Sequence, residues 1–196
     1  MDLEKTIKNL KARGFGVSYF ATGAEAADYI CGEIKNSTVG IGGSMTAEEL
    51  GLYDRLAENN GVAWHWRESG METLRKELAA DYFISSANAI SEDGEILNID
   101  GRGNRVAATL FGHKKVFIVA GLNKLCDDFS SALERARNIA AVKNCTRFEA
   151  KTPCKLDGKC HDCRSADRIC RALTVLWGPM MDMETEVVLI GEELGF

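Results

Sequence analysis

The chain has no apolar run approaching the roughly eighteen residues that a membrane-crossing helix needs. Its first residues, Met-Asp-Leu-Glu-Lys-Thr, carry mixed charge and lack the apolar stretch of a secretory leader. Positive charge is in deficit, 24 Lys and Arg against 29 Asp and Glu, for a formal net charge of -5. That balance argues against a nucleic-acid backbone as partner. Internal repeats and low-complexity linkers are also missing. These absences lead to the expectation of a cytoplasmic protein whose thiols are held reduced.

What is present is ordinary for a globular protein: 196 residues, 45% apolar and 27% charged. A single domain over residues 1–196 is expected. Leu3, Ile7 and Leu10 recur at helical spacing. Short β-prone runs follow at Val17–Phe20, Thr38–Ile41, Val62–Trp66 and Tyr82–Ala87, several of them closed by glycine. The run Lys115–Ala120 reads as a fully buried strand. Helical patterns separate these runs at Ala24–Lys35, Met71–Ala80 and Phe129–Val142, and a short helix is read at Arg105–Phe111. Asp93-Gly94 reads as the turn of a hairpin. Leu173–Trp177 and Glu186–Ile190 read as two last strands. The alternation predicts an α/β fold with a mostly parallel central sheet between helical layers.

Four cysteines, Cys154, Cys160, Cys163 and Cys170, interrupt this pattern at intervals C-x5-C-x2-C-x6-C. Residues 151–171 form a polar insertion around them, long for a loop without a staple. Soft thiolates select zinc, copper(I) or an iron–sulfur cluster over magnesium or calcium. A structural zinc commonly uses two short knuckles, whereas a [4Fe–4S] cluster tolerates unequal gaps. The spacing leaves three readings: a cluster, a zinc ion, or a disulfide or free-thiol group. Lys151, Lys155, Lys159, Arg164, Arg168 and Arg171 interleave the cysteines, and His161 lies between two of them. Cys31, Cys126 and Cys145 read as small hydrophobes.

Two glycine-rich turns are candidate anion sites. Gly42 and Gly43 precede Ser44 and Thr46, which can cap a following helix, and Glu49 completes a capping box with Thr46. Gly101 and Gly103 flank Arg102 and precede Asn104 and Arg105, a loop able to expose backbone N–H groups. Asn98 is either on a solvent face or aimed into a pocket. Lys124 follows the buried strand, at the edge where open α/β sheets bind ligands. Glu48 and Glu49 are weak candidates for a carboxylate nucleophile or base. His65 reads as structural and His113 as an exposed turn residue. Neither glycine turn is a complete dinucleotide fingerprint or P-loop.

The segments V-G-I-G-G-S-M-T-A-E-E-L-G, A-D-Y-F-I-S-S-A-N-A-I-S-E-D-G-E-I-L-N-I-D-G-R-G-N-R-V-A-A and K-V-F-I-V-A-G-L-N-K-L together resemble the lactate-utilisation (LUD) family. The likeness runs from about Leu3 to Phe196. That family sits in the superfamily of sugar-phosphate isomerases, CoA transferases and translation-factor-like proteins, which implies a three-layer α/β/α fold. The resemblance also implies a small anionic ligand or nucleotide phosphate held by Gly42, Gly43, Ser44, Thr46, Gly101, Arg102, Gly103, Asn104 and Lys124. Three functions follow. One is an accessory or redox component of organic-acid oxidation, with an iron–sulfur centre and an iron–sulfur or flavoprotein partner. The others are a group-transfer enzyme of the CoA-transferase or isomerase kind and a non-catalytic protein with structural zinc.

The cluster reading predicts iron and acid-labile sulfide in protein purified without air, and loss of both in Cys163→Ser. Metal and sulfide analysis beside the visible spectrum checks this. Cys163→Ser protein with unchanged metal content and melting temperature would refute the proposed ligation.

Overall fold

The computed structural model describes residues 2–196. Six strands form a central parallel sheet. In spatial order they are β1 (Gly16–Phe20), β10 (Glu184–Ile190), β7 (Lys115–Gly121), β4 (Tyr82–Ser85), β2 (Thr38–Ile41) and β3 (Gly61–Ala63). The strand β7 shows why helices must cover both faces. Val116, Ile118 and Ala120 pack with Leu10, Phe15, Phe83 and Leu189. Phe117 and Val119 pack with Ile30, Ile34, Leu52 and Ile84. Side chains alternate across a strand, so an unbroken apolar run fills a core on each side. The outcome is the three-layer α/β/α arrangement expected from the sequence.

The helices begin where the sequence offers caps. Asp2 accepts the Lys5 N–H at the start of α1 (Leu3–Ala12). Thr22 and Glu25 form a capping box on α2 (Gly23–Glu33). Ser44, rather than Thr46, caps α3 (Met45–Glu49), its Oγ accepting the Ala47 N–H at 3.1 Å. Thr46 lies inside the helix, so the capping box expected between Thr46 and Glu49 does not form.

A second sheet of four strands lies beyond the C-terminal ends of the first. Its order is β8 (Leu125–Cys126), β5 (Ala89–Ser91), β6 (Ile96–Asp100) and β9 (Ala172–Leu176). Strands β5 and β6 make the expected hairpin, with Gly94 at φ +88° in its turn. The helical region that starts with α7 (Phe129–Arg135) continues through a π-helical turn, Ala136–Ala140, into α8 (Ala141–Thr146). The cysteine segment then leaves α8 and returns as β9, antiparallel to β6 with Asp100 opposite Ala172. This return places residues 166–171 beside the loop that follows β6.

Two readings of the sequence change. The run Val62–Trp66 is a strand only to Ala63, because the chain turns at Trp64, whose carbonyl accepts the Arg67 and Glu68 N–H groups. His113 is buried, not exposed. Its Nδ1 lies 2.7 Å from the Ala80 carbonyl and its ring stacks on Phe83 at 5.0 Å. Burial lowers its pKa below the usual histidine value.

After α4 (Leu52–Ala57) comes α5 (Met71–Leu78), a covering helix that Gly40 of the parallel sheet approaches closely. A Cβ there would lie 2.4 Å from the Glu77 carbonyl oxygen. Gly40→Ala is expected to destabilise the protein by about 1–3 kcal/mol through overpacking against backbone, read as a lower denaturation midpoint at unchanged slope.

Candidate functional site

The C-terminal ends of β2, β3, β4 and β7 face the second sheet across a cleft of about 740 Å³. Open parallel sheets present their strand ends to ligands in this way. The turn after β2 supplies Gly43, Ser44, Met45 and Thr46, and the turn after β3 supplies His65 and Trp66. Ser86 follows β4 and Lys124 follows β7. From the second sheet come Ile99, Asp100, Gly101, Arg102, Asn104 and Arg105. Ala166 to Arg171, the last part of the cysteine segment, form another part of the wall.

Of the nine ligand residues implied by the resemblance, Gly43, Ser44, Thr46, Gly101, Arg102, Asn104 and Lys124 line this one cleft. Gly42 and Gly103 are not on its wall among the described residues. Their N–H groups are engaged within the protein: Gly42 donates to the Ile84 carbonyl at 2.9 Å and Gly103 to Asp100 Oδ1 at 2.9 Å. The Arg102 N–H also goes to Asp100 Oδ1, at 3.1 Å. The loop after β6 therefore does not present these amides to an anion. Asp100, unremarkable in the sequence, accepts them. Gly101 is required for another reason, since a Cβ there would meet the Ile169 carbonyl at 2.4 Å. This contact, with the Arg171 N–H on the Asp100 carbonyl at 2.8 Å, fastens the loop to the cysteine segment.

Side chains provide the cleft's polarity. Arg102, Arg105, Lys124, Arg147, Arg168 and Arg171 line it, against Asp100 and Asp167 as the acidic members of its wall. Arg105 donates to Asn98 Oδ1, to the Ile99 carbonyl at 2.7 Å and to the Ser86 carbonyl at 3.4 Å, and lies 3.4 Å from Asp100. Asn98 is thus buried and turned onto Arg105, neither on a solvent face nor among the residues that line the cleft. Asn104 Nδ2 is buried and has no hydrogen-bond partner. An unpaired buried donor costs about 1–3 kcal/mol, so it marks a place where an acceptor is favoured.

Lys124 is 3% exposed. Its Nζ donates to the main-chain oxygen of Phe196 at 2.9 Å, and the Glu49 carboxylate favours its charged form. Burial, followed by the positive charges of Arg135 and Arg105, lowers its pKa to about 7. At neutral pH the amine thus divides between charged and neutral forms. It can bind an anion in the first and accept a proton in the second.

Glu48 and Glu49 lie off the cleft wall. Glu48 pairs with Arg67 at 3.0 Å, and Glu49 accepts the Gly195 N–H at 2.7 Å. The cysteines separate. Cys154 and the buried Cys145 share Thr152, whose Oγ1 lies 3.3 Å and 3.1 Å from their sulfurs. Cys160 and Cys170 line a smaller cavity of about 270 Å³ with Arg137 and Arg168. The Cys163 carbonyl accepts from Arg168 at 2.8 Å. His161 pairs with Asp157 at 2.9 Å rather than facing a sulfur. Among the described residues no three His, Cys, Asp or Glu side chains stand close enough to hold a metal ion. The donor set as folded does not fit one four-thiolate centre.

The sequence of residues 3–190 matches the LUD domain family. The chain belongs to that family. This makes it, in general terms, a lactate-utilisation-related protein. The fold is similar to the crystal structure of a DUF162 family protein from Deinococcus radiodurans, at 16% identity and a TM-score of 0.58 over 96% of each chain. At that identity the likeness concerns the fold. No curated protein matches the chain.

Within this LUD protein, sequence reasoning did not find Trp66, Ser86, Asn88 or Arg147 as cleft residues. The aromatic density of Trp64-His65-Trp66 was the one local signal. Arg147 carried none, because its place depends on how the chain leaves α8.

Lys124 yields a stability prediction. The folded pKa is lowered, so between about 7 and the unfolded value near 10.4 the unfolded chain binds more protons. Below about 7 both states are protonated and the cost of the buried charge is complete. Lys124→Met should raise the melting temperature by a few degrees near pH 6 and by less near pH 10. An equal effect at both pH values would place the ammonium in a solvated environment.

Proposed function

We propose that this LUD protein binds an anionic ligand, a carboxylate or phosphate compound, in the cleft and serves organic-acid utilisation as an accessory component. The observation that carries this reading is the local reversal of charge. A chain of net charge -5 places six cationic side chains on one cleft and two acidic ones beside them. A concave surface of one charge sign raises the local concentration of the opposite ion. Asn104, with its unpaired donor, and Ser44 and Thr46 at the end of β2 supply polar groups to orient the ligand.

These residues account for binding, orientation and proton handling. As a partner's flavin takes hydride from the α-carbon, a hydroxy acid held with its hydroxyl toward Lys124 would pass the hydroxyl proton to the neutral amine and leave as the keto acid. An iron–sulfur centre in that partner would only carry the electrons onward from the flavin, one at a time. No step uses a metal on the four cysteines. Group transfer through Glu48 or Glu49 has less support, because neither lines the cleft among the described residues and each has a protein partner, Arg67 for Glu48 and the Gly195 N–H for Glu49.

Lactate and sulfate, both fully ionised across the neutral range, are suitable probes. Lys124 loses its charge as pH rises through about 7. Affinity for either anion should therefore fall roughly tenfold across that range, one charge-assisted hydrogen bond being lost. Lys124→Gln should remove this pH dependence, and Asn104→Ala should weaken binding with the dependence intact. Calorimetric titration at several pH values reads all three. Failure of both anions to bind at any of them would overturn the proposal.

A further inference from the structure

The cleft is larger than a three-carbon acid requires. Its 740 Å³ lies within the roughly 300–1,000 Å³ of sites that enclose ligands of drug size, and such an acid would leave most of it to water. Part of the wall is built for something flat. Trp64, 1% exposed and fixed in the core, stacks on Trp66 with centroids 5.3 Å apart and planes 20° apart. The Arg147 guanidinium lies 3.9 Å from the centroid of the Trp66 ring. Trp66 and Arg147 both line the cleft, with Phe148, itself 48% exposed, next to them.

The layers have a mechanical consequence. The core holds Trp64, Trp64 supports Trp66, and the Trp66 ring supports the Arg147 guanidinium. A guanidinium has two faces, and the one not on Trp66 can receive a planar ring. This shelf adjoins the anion-binding turn: a Cβ on Gly43 would lie 3.3 Å from Trp66 Nε1, and Ser44 is the next residue. Ring-receiving and anion-receiving groups are contiguous in one cavity.

We infer that the cleft takes a nucleoside phosphate, its base stacked on the Arg147–Trp66 shelf and its phosphates beside Ser44 and Arg102. The inference rests on the anion-binding reading above and adds the chemical class of the ligand. The base is recognised through its π face, so discrimination among bases is weak. The phosphates meet the Arg102 guanidinium, whose fork suits planar two-point contact.

Calorimetric titration of the full chain with ADP, ribose 5-phosphate and inorganic pyrophosphate tests it. ADP is expected to bind more tightly than ribose 5-phosphate by about tenfold beyond what its second phosphate adds, the effect of one base–aromatic or base–guanidinium stack. Arg147→Lys keeps the charge and removes the flat surface. It should abolish most of that preference and leave pyrophosphate affinity unchanged. Trp66→Leu should do the same, and Arg147→Lys supplies the answer if Trp66→Leu fails to fold. Equal affinities for ADP and ribose 5-phosphate, or a preference that survives Arg147→Lys, would overturn the inference. Pyrophosphate binding without any preference for ADP leaves the anion site standing and removes only the ring. If none of the three binds, both readings fall.

Discussion

A buried guanidinium holds the cleft together. Arg105 stands at the start of α6 (Asn104–Ala108) and donates to Asn98 and Ile99 in the second sheet and to the Ser86 carbonyl beyond β4. Asp100 answers it on one carboxylate oxygen and holds the Arg102 and Gly103 N–H groups on the other. A buried charge without such partners would cost several kcal/mol, so the surrounding carbonyls and carboxylate are a condition for Arg105 being there. This one side chain bridges the end of the parallel sheet, the hairpin sheet and the loop between β6 and α6.

That constraint explains why cleft polarity resides in side chains. Glycine turns suggest backbone amides offered to an anion. The amides of the loop after β6 are instead held by Asp100, and that of Gly42 by the Ile84 carbonyl. What remains for a ligand is the Asn104 amide, Lys124 and a set of arginines. Lys124 has a lowered pKa first because it is buried and then because Arg135 and Arg105 add like charge, with Glu49 opposing them. The cleft therefore combines fixed positive charge with one group whose charge changes near neutrality.

The cysteine segment takes part in this arrangement through its backbone. The Ile169 carbonyl packs on Gly101, the Arg171 N–H binds Asp100, and Ala166 to Arg171 line the cleft. Cys170 borders both the main cleft and the smaller cavity that it shares with Cys160. Any chemical change at these sulfurs acts on residues that are directly attached to the ligand wall. The segment is a structural part of the cleft, whatever its thiols bind.

The order of elements, the three layers and the buried strand β7 were legible in the sequence, because side-chain periodicity and caps are local properties of consecutive residues. So were Gly43, Ser44, Thr46, Gly101, Arg102, Asn104 and Lys124 as residues of interest, since strand-end turns mark where open sheets place ligands. The sequence could not show that Asp100 takes the loop's N–H groups, that Asn98 points inward, or that His113 is buried. It also could not show that the cysteines diverge or that Trp66 carries Arg147. Each of these depends on which residues, tens of positions apart, meet across the two sheets. Burial, charge pairing and the pKa of Lys124 are properties of those meetings, and they exist only once the chain has closed on itself.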